Sequence, residues 1–241
     1  MINAHVCRLF IIVFLPVLLI TGSCAQSSAK NDSPRSGKFT LKSLAKTDID
    51  NVLDIHIREM RGYLKELMIK LYKRNPRELQ KSEFSDIQTN LDRLFNRKHN
   101  WKFADLDNKK SIDAIYLTFD GDFQGDRVFA FVTGLASMVM SAYGNRDEFF
   151  MLDRVDPQKL YNSARNIEIA VWKLEHEQDH SGEFFLYSNS LPGETVNLSY
   201  ERLFGKMIAT QDNIAIIVAG STNRVIKTVI QRMATAAFLP I

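Results

Sequence analysis

Apolar residues recur at helical spacing over three long stretches of this chain. In the first stretch, steps of three and four residues continue for about six turns, which is typical of an amphipathic helix. Its apolar face consists of Ile49, Leu53, His56, Met60, Leu64, Leu67 and Leu71. Thr47 and Asp48 suit a helix start. Asn75-Pro76 ends the pattern, because proline has no amide hydrogen and disfavours helical geometry at the preceding residue. The same pair suits the start of a short second helix.

Two more long helices are predicted in the second half of the chain. Asp156-Pro157 opens the first, since a capping residue followed by proline is typical of a helix start. Its apolar stripe consists of Leu160, Ala164, Ile167, Val171 and Leu174. Ser199 caps the second, which keeps helical spacing to about Ala237 and has possible breaks near Asp212-Asn213 or Gly220.

Shorter elements fill the remainder of the pattern. Residues 84–95 and 112–119 are predicted to be short helices, and the charge-free stretch 128–143 is predicted to be a central buried helix. Residues 184–188 and 195–198, around Pro192-Gly193, predict a small β-hairpin. The sequence therefore predicts a mainly α single domain over residues 39–241, with six to seven helices and one small β-hairpin.

The N-terminus has the pattern of a secretory signal peptide. Arg8 precedes an unbroken apolar run over residues 9–20, and Thr21-Gly22-Ser23 then leads to Cys24. The run is shorter than the ~20 residues that a membrane-spanning helix needs. Small residues before a cysteine resemble the lipobox of bacterial lipoproteins, although Thr21 departs from the most common residue type. This resemblance implies that residues 1–23 are removed and that Cys24 is acylated.

An ordinary signal peptide with an incidental Cys24 is the alternative. Cysteine usage favours lipidation, because Cys7 lies in the segment to be removed and acylation would leave no free thiol. Ala25-Gln26 lacks the aspartate that retains many lipoproteins at the inner membrane, so the resemblance favours the periplasmic face of the outer membrane, with inner-membrane anchoring left open. Residues 24–38 are polar and rich in serine, which predicts a flexible tether.

Two internal segments carry a second resemblance. Residues 70–78 (KLYKRNPRE) and 156–166 (DPQKLYNSARN) resemble segments of a proteobacterial lipoprotein family that has no established activity. The resemblance implies a lipoprotein and brings no mechanism or cofactor with it.

Composition and charge bound the function only loosely. Hydrophobic residues make up 45% and charged residues 24% of the chain, as in soluble globular domains. Residues 24–110 contain 19 Lys and Arg against 12 Asp and Glu, whereas residues 111–241 contain 11 against 16. The basic half could attract anionic lipids or another polyanion, or could simply be a solvated surface. Export makes nucleic acid an unsuitable partner.

The sequence contains one stretch that matches the consensus of a catalytic motif. His176-Glu177-Gln178-Asp179-His180 matches the H-E-x-x-H of zinc peptidases, in which two imidazoles share a helical face and the glutamate lies beside the metal-bound water. The charged Asp179 and the break at Ser181-Gly182 disagree with the buried helix of those enzymes. Glu194 or Glu201 would have to supply the third ligand.

Other candidate sites are weaker. Asp120, Asp122 and Asp126 could bind a cation, but Phe131 stands where a calcium loop needs glutamate, which favours a helix-capping loop. His56 is predicted to be a hydrogen-bonded residue on an apolar stripe. The pattern favours a non-enzymatic, membrane-anchored envelope lipoprotein that binds a protein, polymer or lipid. The alternatives are a zinc hydrolase using His176, Glu177 and His180, and a carrier of an apolar ligand around residues 128–143.

Overall fold

The described part of the chain is built from helices. The structure, a computed structural model, describes residues 47–150, 153–191, 193–230 and 235–241. In order, its elements are α1 (Asp48–Arg74), α2 (Pro76–Lys81), α3 (Ile87–Phe95), a 3₁₀ turn (Ala104–Leu106), α4 (Ser111–Thr118), α5 (Arg127–Ala142), α6 (Pro157–His176) and α7 (Ser199–Thr222). The mainly helical fold class is therefore confirmed. The predictions for the signal peptide, for Cys24 and for the tether lie outside the described residues.

Four long helices enclose the core. α1 packs against α5 and α7, and α6 packs against the same two helices, so that the four contact one another in the ring order α1, α5, α6, α7. α4 covers a further side of α5, while α2 and α3 pack on α1. Every residue of α5 except Ser141 is consequently buried, which explains why the helix carries no charge after Arg127. Within the described residues, no helix is long and apolar enough to span a bilayer.

Side-chain caps fix the helix starts that the sequence predicts. The Thr47 hydroxyl accepts from the Asp50 amide, and the Asp50 carboxylate accepts from the Thr47 amide at 2.7 Å, which forms a capping box. At the start of α6, the Asp156 carboxylate accepts from the Gln158 amide at 3.0 Å. These local bonds satisfy amides that a helix cannot satisfy internally, so each start is set by its own few residues.

The predicted β-hairpin at residues 184–188 and 195–198 is wrong. The described residues contain no strand, and only an isolated bridge joins Gln178 to Phe184. The Asn75 side chain takes the place of a partner strand: it donates to the Tyr187 carbonyl at 2.8 Å and accepts from the Tyr187 amide at 2.7 Å. Arg77 similarly donates to the carbonyls of Phe184 and Phe185. Because side chains satisfy these backbone groups, the segment needs no second strand.

α7 ends earlier than predicted, at Thr222 rather than near Ala237. Asn223 adopts the left-handed conformation with φ 52°, which is typical of a residue that ends a helix. The backbone beyond it is bound by α6 instead. Lys227 donates its amide to Gln158 Oε1 at 2.8 Å, and Gln158 Nε2 donates back to the Lys227 carbonyl at 3.1 Å.

Candidate functional site

The H-E-x-x-H motif does not lie on one helix. His176 is the last residue of α6, and Glu177 already has the extended backbone of a C-cap, with φ −74° and ψ 125°. His180 follows in a turn, with its Nε2 atom close to Gly121. The helix thus ends four residues before the second histidine, so the shared helical face on which zinc binding depends is not formed.

The individual groups of this motif have other partners. His176 Nδ1 lies 2.8 Å from the Trp172 carbonyl oxygen and its ring stacks on the Trp172 ring, while Lys173 donates to the Glu177 carboxylate at 2.7 Å. The suggested third ligands are also engaged, Glu194 with Arg74 and Glu201 with Asn189. Across the described ranges, no group of three or more His, Cys, Asp or Glu side chains is placed to hold a metal ion.

The aspartate loop at residues 120–126 binds an arginine. The Arg127 guanidinium donates to the carbonyls of Thr118 at 2.6 Å, Asp120 at 2.8 Å and Phe123 at 2.7 Å. Asp126 caps α5 by accepting from the Phe129 amide at 2.9 Å. The loop is therefore a helix-capping loop whose inward carbonyls are already satisfied by a cation of the chain itself.

Asp126 is also the most deeply buried carboxyl whose pKa is strongly shifted. Burial raises its pKa to about 7, although hydrogen bonds from Tyr72 and from the Phe129 amide oppose the shift. The Tyr72 hydroxyl donates to Asp126 at 2.6 Å, and burial raises the pKa of Tyr72 as well. This pair lies in the core between α1 and α5 and does not line the clefts described below.

Most of the basic run at residues 70–81 is occupied by structural contacts. Lys70 donates to the Ser199 hydroxyl, Arg74 pairs with Glu194, and Lys81 pairs with the buried Glu78 at 2.9 Å. His56 is half-buried and its Nδ1 atom lies 2.8 Å from the Val52 carbonyl oxygen, as expected for a structural histidine. These side chains are engaged by partners within the protein, so they are not directed at a ligand.

A carboxyl pair joins the end of α6 to the start of α7. Asn189 Nδ2 donates to Glu175 and to Glu201, each at 2.7 Å. Burial, followed by the hydrogen bond and the charge of Glu201, raises the pKa of Glu175 to about 7. Glu175 lines a small cleft of about 310 Å³ together with Tyr187 and Leu191. Two carboxyl groups this close share a proton readily, which stabilises the contact between the helices below neutral pH.

Four basic side chains line a surface cleft of about 630 Å³ that we call the Arg61 cleft. It is bounded by α1, by the end of α3 with the loop that follows, and by α5. Its charged and aromatic lining consists of Arg61, Arg97, Lys98, His99, Trp101, Lys110 and Asp147. One acid therefore faces four basic side chains, and the cleft lies in a range of volumes that accommodates small ligands.

Three of these four cations have no side-chain partner among the described residues. Arg61 donates to Asp147 at 2.6 Å and to the Phe95 carbonyl at 2.6 Å. By contrast, the side chains of Arg97, Lys98 and Lys110 make no ion pair or side-chain hydrogen bond with any described residue, and all three are exposed. Unneutralised cations around a concave surface produce a positive potential that attracts anions.

The loop that carries two of these cations is held in an unusual conformation. Asn100 and Trp101 both have left-handed backbones, with φ 48° and 59°. For residues other than glycine this costs roughly 1–2 kcal/mol each. The Trp101 amide donates to His99 Nδ1 at 2.9 Å, and His99 Nε2 therefore donates to the Leu94 carbonyl at 2.8 Å. The imidazole fixes the loop, which places Arg97, Lys98 and Trp101 along the wall of the cleft.

A second cleft of about 660 Å³ adjoins the first. It is lined by Asp54, Ile57, Arg58, Arg61, Gly62, Lys65, Asp147 and Glu148. Arg61 and Asp147 line both clefts, so their ion pair stands at the junction between the two.

The sequence patterns did not identify this site. Arg97, Lys98 and Trp101 lie in a segment that the apolar spacing predicts only as polar and irregular, and Arg61 is one polar residue among many on α1. The charge excess of residues 24–110 was the only signal, and it did not separate paired from unpaired cations. The cluster of Arg97-Lys98 beside an aromatic residue would have been the best local indication.

Comparison of the chain with protein-family models, with curated protein sequences and with solved structures gave no match. The resemblances to the lipobox and to a proteobacterial lipoprotein family therefore stay predictions.

Proposed function

We propose that this chain is a non-enzymatic, lipid-anchored protein of the bacterial envelope that binds an anionic ligand in the Arg61 cleft. Cys24 would carry the anchor, on the periplasmic face of the outer membrane. The observation that supports ligand binding is that Arg97, Lys98 and Lys110, which have no partner in the described part of the chain, line one concave surface. Keeping three like charges unpaired around a cleft is unfavourable for the protein alone and is relieved when an anion binds.

The lining favours a ligand with a phosphate or carboxylate group. Arginine binds both oxyanions in a two-point geometry, and lysine adds a mobile charge. A volume of about 630 Å³ suits a sugar acid, a sugar phosphate or one end of an anionic polymer. Trp101 offers a ring face or edge against which an apolar or sugar surface can pack.

The same lining does not favour catalysis. Both ring nitrogens of His99 are engaged by backbone groups, so this imidazole is not available for proton transfer. An apolar-ligand carrier is also less well supported, because only Ala136 and Met140 of residues 128–143 line the cleft. Charge, rather than apolar surface, distinguishes this site.

Binding can be followed through Trp101. The chain has two tryptophans, so Trp172→Phe leaves Trp101 as the single reporter. The full-length protein in non-ionic detergent would be titrated with sodium tripolyphosphate and, separately, with trigalacturonic acid. We expect saturable quenching by at least one probe, with an affinity that falls as salt rises. Comparison of the two probes distinguishes a phosphate ligand from a carboxylate ligand.

Two charge-matched variants test the location of the site. The cleft variant combines Arg97→Gln, Lys98→Gln and Lys110→Gln. The control variant combines three exposed cations that line none of the described clefts, as Lys73→Gln, Lys159→Gln and Arg202→Gln. If each cleft cation contributes about 0.5–1 kcal/mol, the cleft variant should bind at least about tenfold more weakly.

The control variant should remain within about twofold of the parent protein. Equal losses in both variants would show that the probes respond only to net charge. If neither probe shows saturable binding, the proposed function is refuted.

A further inference from the structure

Arg61 differs from the other cations of the cleft in that its guanidinium is held in place. It donates at 2.6 Å to the carbonyl of Phe95, which is the last residue of α3. Carbonyls at the end of a helix lack a partner within that helix and carry partial negative charge, so they bind cations favourably. The Arg61 side chain is 32% exposed, so it is partly accessible to solvent while Nη2 is bound to Phe95 and Nη1 to Asp147.

The second partner of Arg61 is held much less firmly. Asp147 accepts at 2.6 Å, yet its side chain is 73% exposed. It belongs to the loop after α5, in which Gly144 and Asn145 have left-handed backbones and residues 144–147 are all exposed. Exposed ion pairs of this kind contribute little to stability, so exchanging one carboxylate for another costs little.

The Arg61–Asp147 ion pair lies at the junction of the two clefts. Because Arg61 and Asp147 line both clefts, a carboxylate that leaves Arg61 uncovers a fixed guanidinium edge between them. A carboxylate or phosphate of a ligand can then take the same position and accept from Arg61 in the same way.

Building on the proposed function, we infer that Arg61 forms the oxyanion subsite of the cleft and that Asp147 is an internal competitor for it. The ligand's carboxylate or phosphate replaces the Asp147 carboxylate on Arg61, while the Phe95 carbonyl keeps the guanidinium in place. Arg97, Lys98 and Lys110 attract the anion, and Arg61 fixes its position. The affinity for the ligand is set in part by how strongly Asp147 competes.

Asp147→Asn tests this directly, because it removes the competing charge and keeps the shape of the side chain. We expect tripolyphosphate or trigalacturonate, whichever the parent protein binds, to bind about two- to fivefold more tightly to this variant. Asp105→Asn is the matched control. It removes the same charge from another ion pair, the one with Arg93, and Asp105 lines neither cleft. This control should change the affinity by less than about 1.5-fold.

A double-mutant cycle separates competition from general electrostatics. Arg61→Gln should weaken binding, and Asp147→Asn should then have no further effect, because no guanidinium remains to compete for. Equal effects of Asp147→Asn and Asp105→Asn, or a gain that persists with Arg61→Gln, would overturn the inference while leaving the proposed function intact. If neither the parent protein nor Asp147→Asn binds either probe, both the inference and the proposed function fail.

Discussion

Gly134 of α5 should not tolerate a methyl group, because α4 passes directly over it. A Cβ built at Gly134 would lie 2.7 Å from Ile115 Cγ1, 2.8 Å from the Ile115 amide nitrogen and 2.9 Å from the Ser111 carbonyl oxygen. Two of these three atoms belong to the backbone and cannot move without the whole of α4. Overpacking of this kind costs about 2–3 kcal/mol, whereas alanine gains about 1 kcal/mol in helix propensity. Gly134→Ala should therefore destabilise the fold by about 1–2 kcal/mol.

Gly205 of α7 provides the matched control. It is also a helical glycine, but it is exposed and a Cβ there would meet no atom within 4 Å. Gly205→Ala should thus stabilise the protein by about 0.5–1 kcal/mol through propensity alone.

The two substitutions can be compared by urea denaturation and by thermal melting of the full-length protein in the same detergent. For a chain of this size, we expect Gly134→Ala to lower the melting temperature by about 2–8 °C and Gly205→Ala to raise it by about 1–4 °C. The opposite signs are the test, since both variants change glycine to alanine within a helix. If Gly134→Ala were as stable as Gly205→Ala, the close approach of α4 to α5 would be wrong, and with it the main covering contact of α5.

Two other changes should have equally definite results. Asp126 has a folded-state pKa raised to about 7, above its unfolded value, so it contributes stability that is present below about pH 4 and is lost as the pH rises towards 7. Asp126→Asn keeps a good helix cap and cannot titrate, so denaturation measured from pH 4 to 8 should show a smaller fall in stability than in the parent protein; an unchanged slope would contradict the burial of this carboxyl. Cys24→Ser should abolish incorporation of labelled palmitate and release the protein from membranes, whereas continued labelling would exclude Cys24 as the lipidated residue.

The helices could be predicted because the information for them is local. The apolar face of α1 repeats every three or four residues, and Thr47, Asp126 and Asp156 cap helices through amides two or three residues away. Spacing and capping are read from a few neighbouring letters, so the pattern located α1 and α5 within one or two residues of their observed bounds and located the start of α6. The end of α6 was predicted at Ser181-Gly182, whereas the helix ends at His176.

The errors arose where distant side chains satisfy the backbone. Asn75 binds both backbone polar groups of Tyr187, which is 112 residues away in sequence, so a segment with strand-like residues is satisfied without a partner strand. Likewise, Gln158 binds the backbone of Lys227 beyond the end of α7, although the apolar spacing continues past that point. Contacts between residues this far apart cannot be inferred from local sequence patterns, and propensity alone assigns these segments to regular structure.

The candidate site was missed for a related reason. Arg61 meets Phe95 across 34 residues and Asp147 across 86, so three separate elements build the oxyanion subsite. No spacing rule connects them. The H-E-x-x-H motif shows the reverse case: its spacing is correct, but α6 ends at His176 and the chemistry that the spacing suggests is not assembled.

Charge counts along the chain combine two populations of cations that behave differently. Arg127 is buried and donates three bonds to backbone carbonyls, and Arg74 and Lys81 pair with glutamates, so the contacts of these side chains are internal ones. A paired or buried cation has little field at a distance, whereas an exposed, unpaired one attracts anions within about a Debye length. Among the unpaired cations of the first half, Arg97, Lys98 and Lys110 line one cleft, whereas others such as Lys73 line none of the described clefts. For this reason the location of unpaired charge, rather than its sum, supports an anion site at the Arg61 cleft.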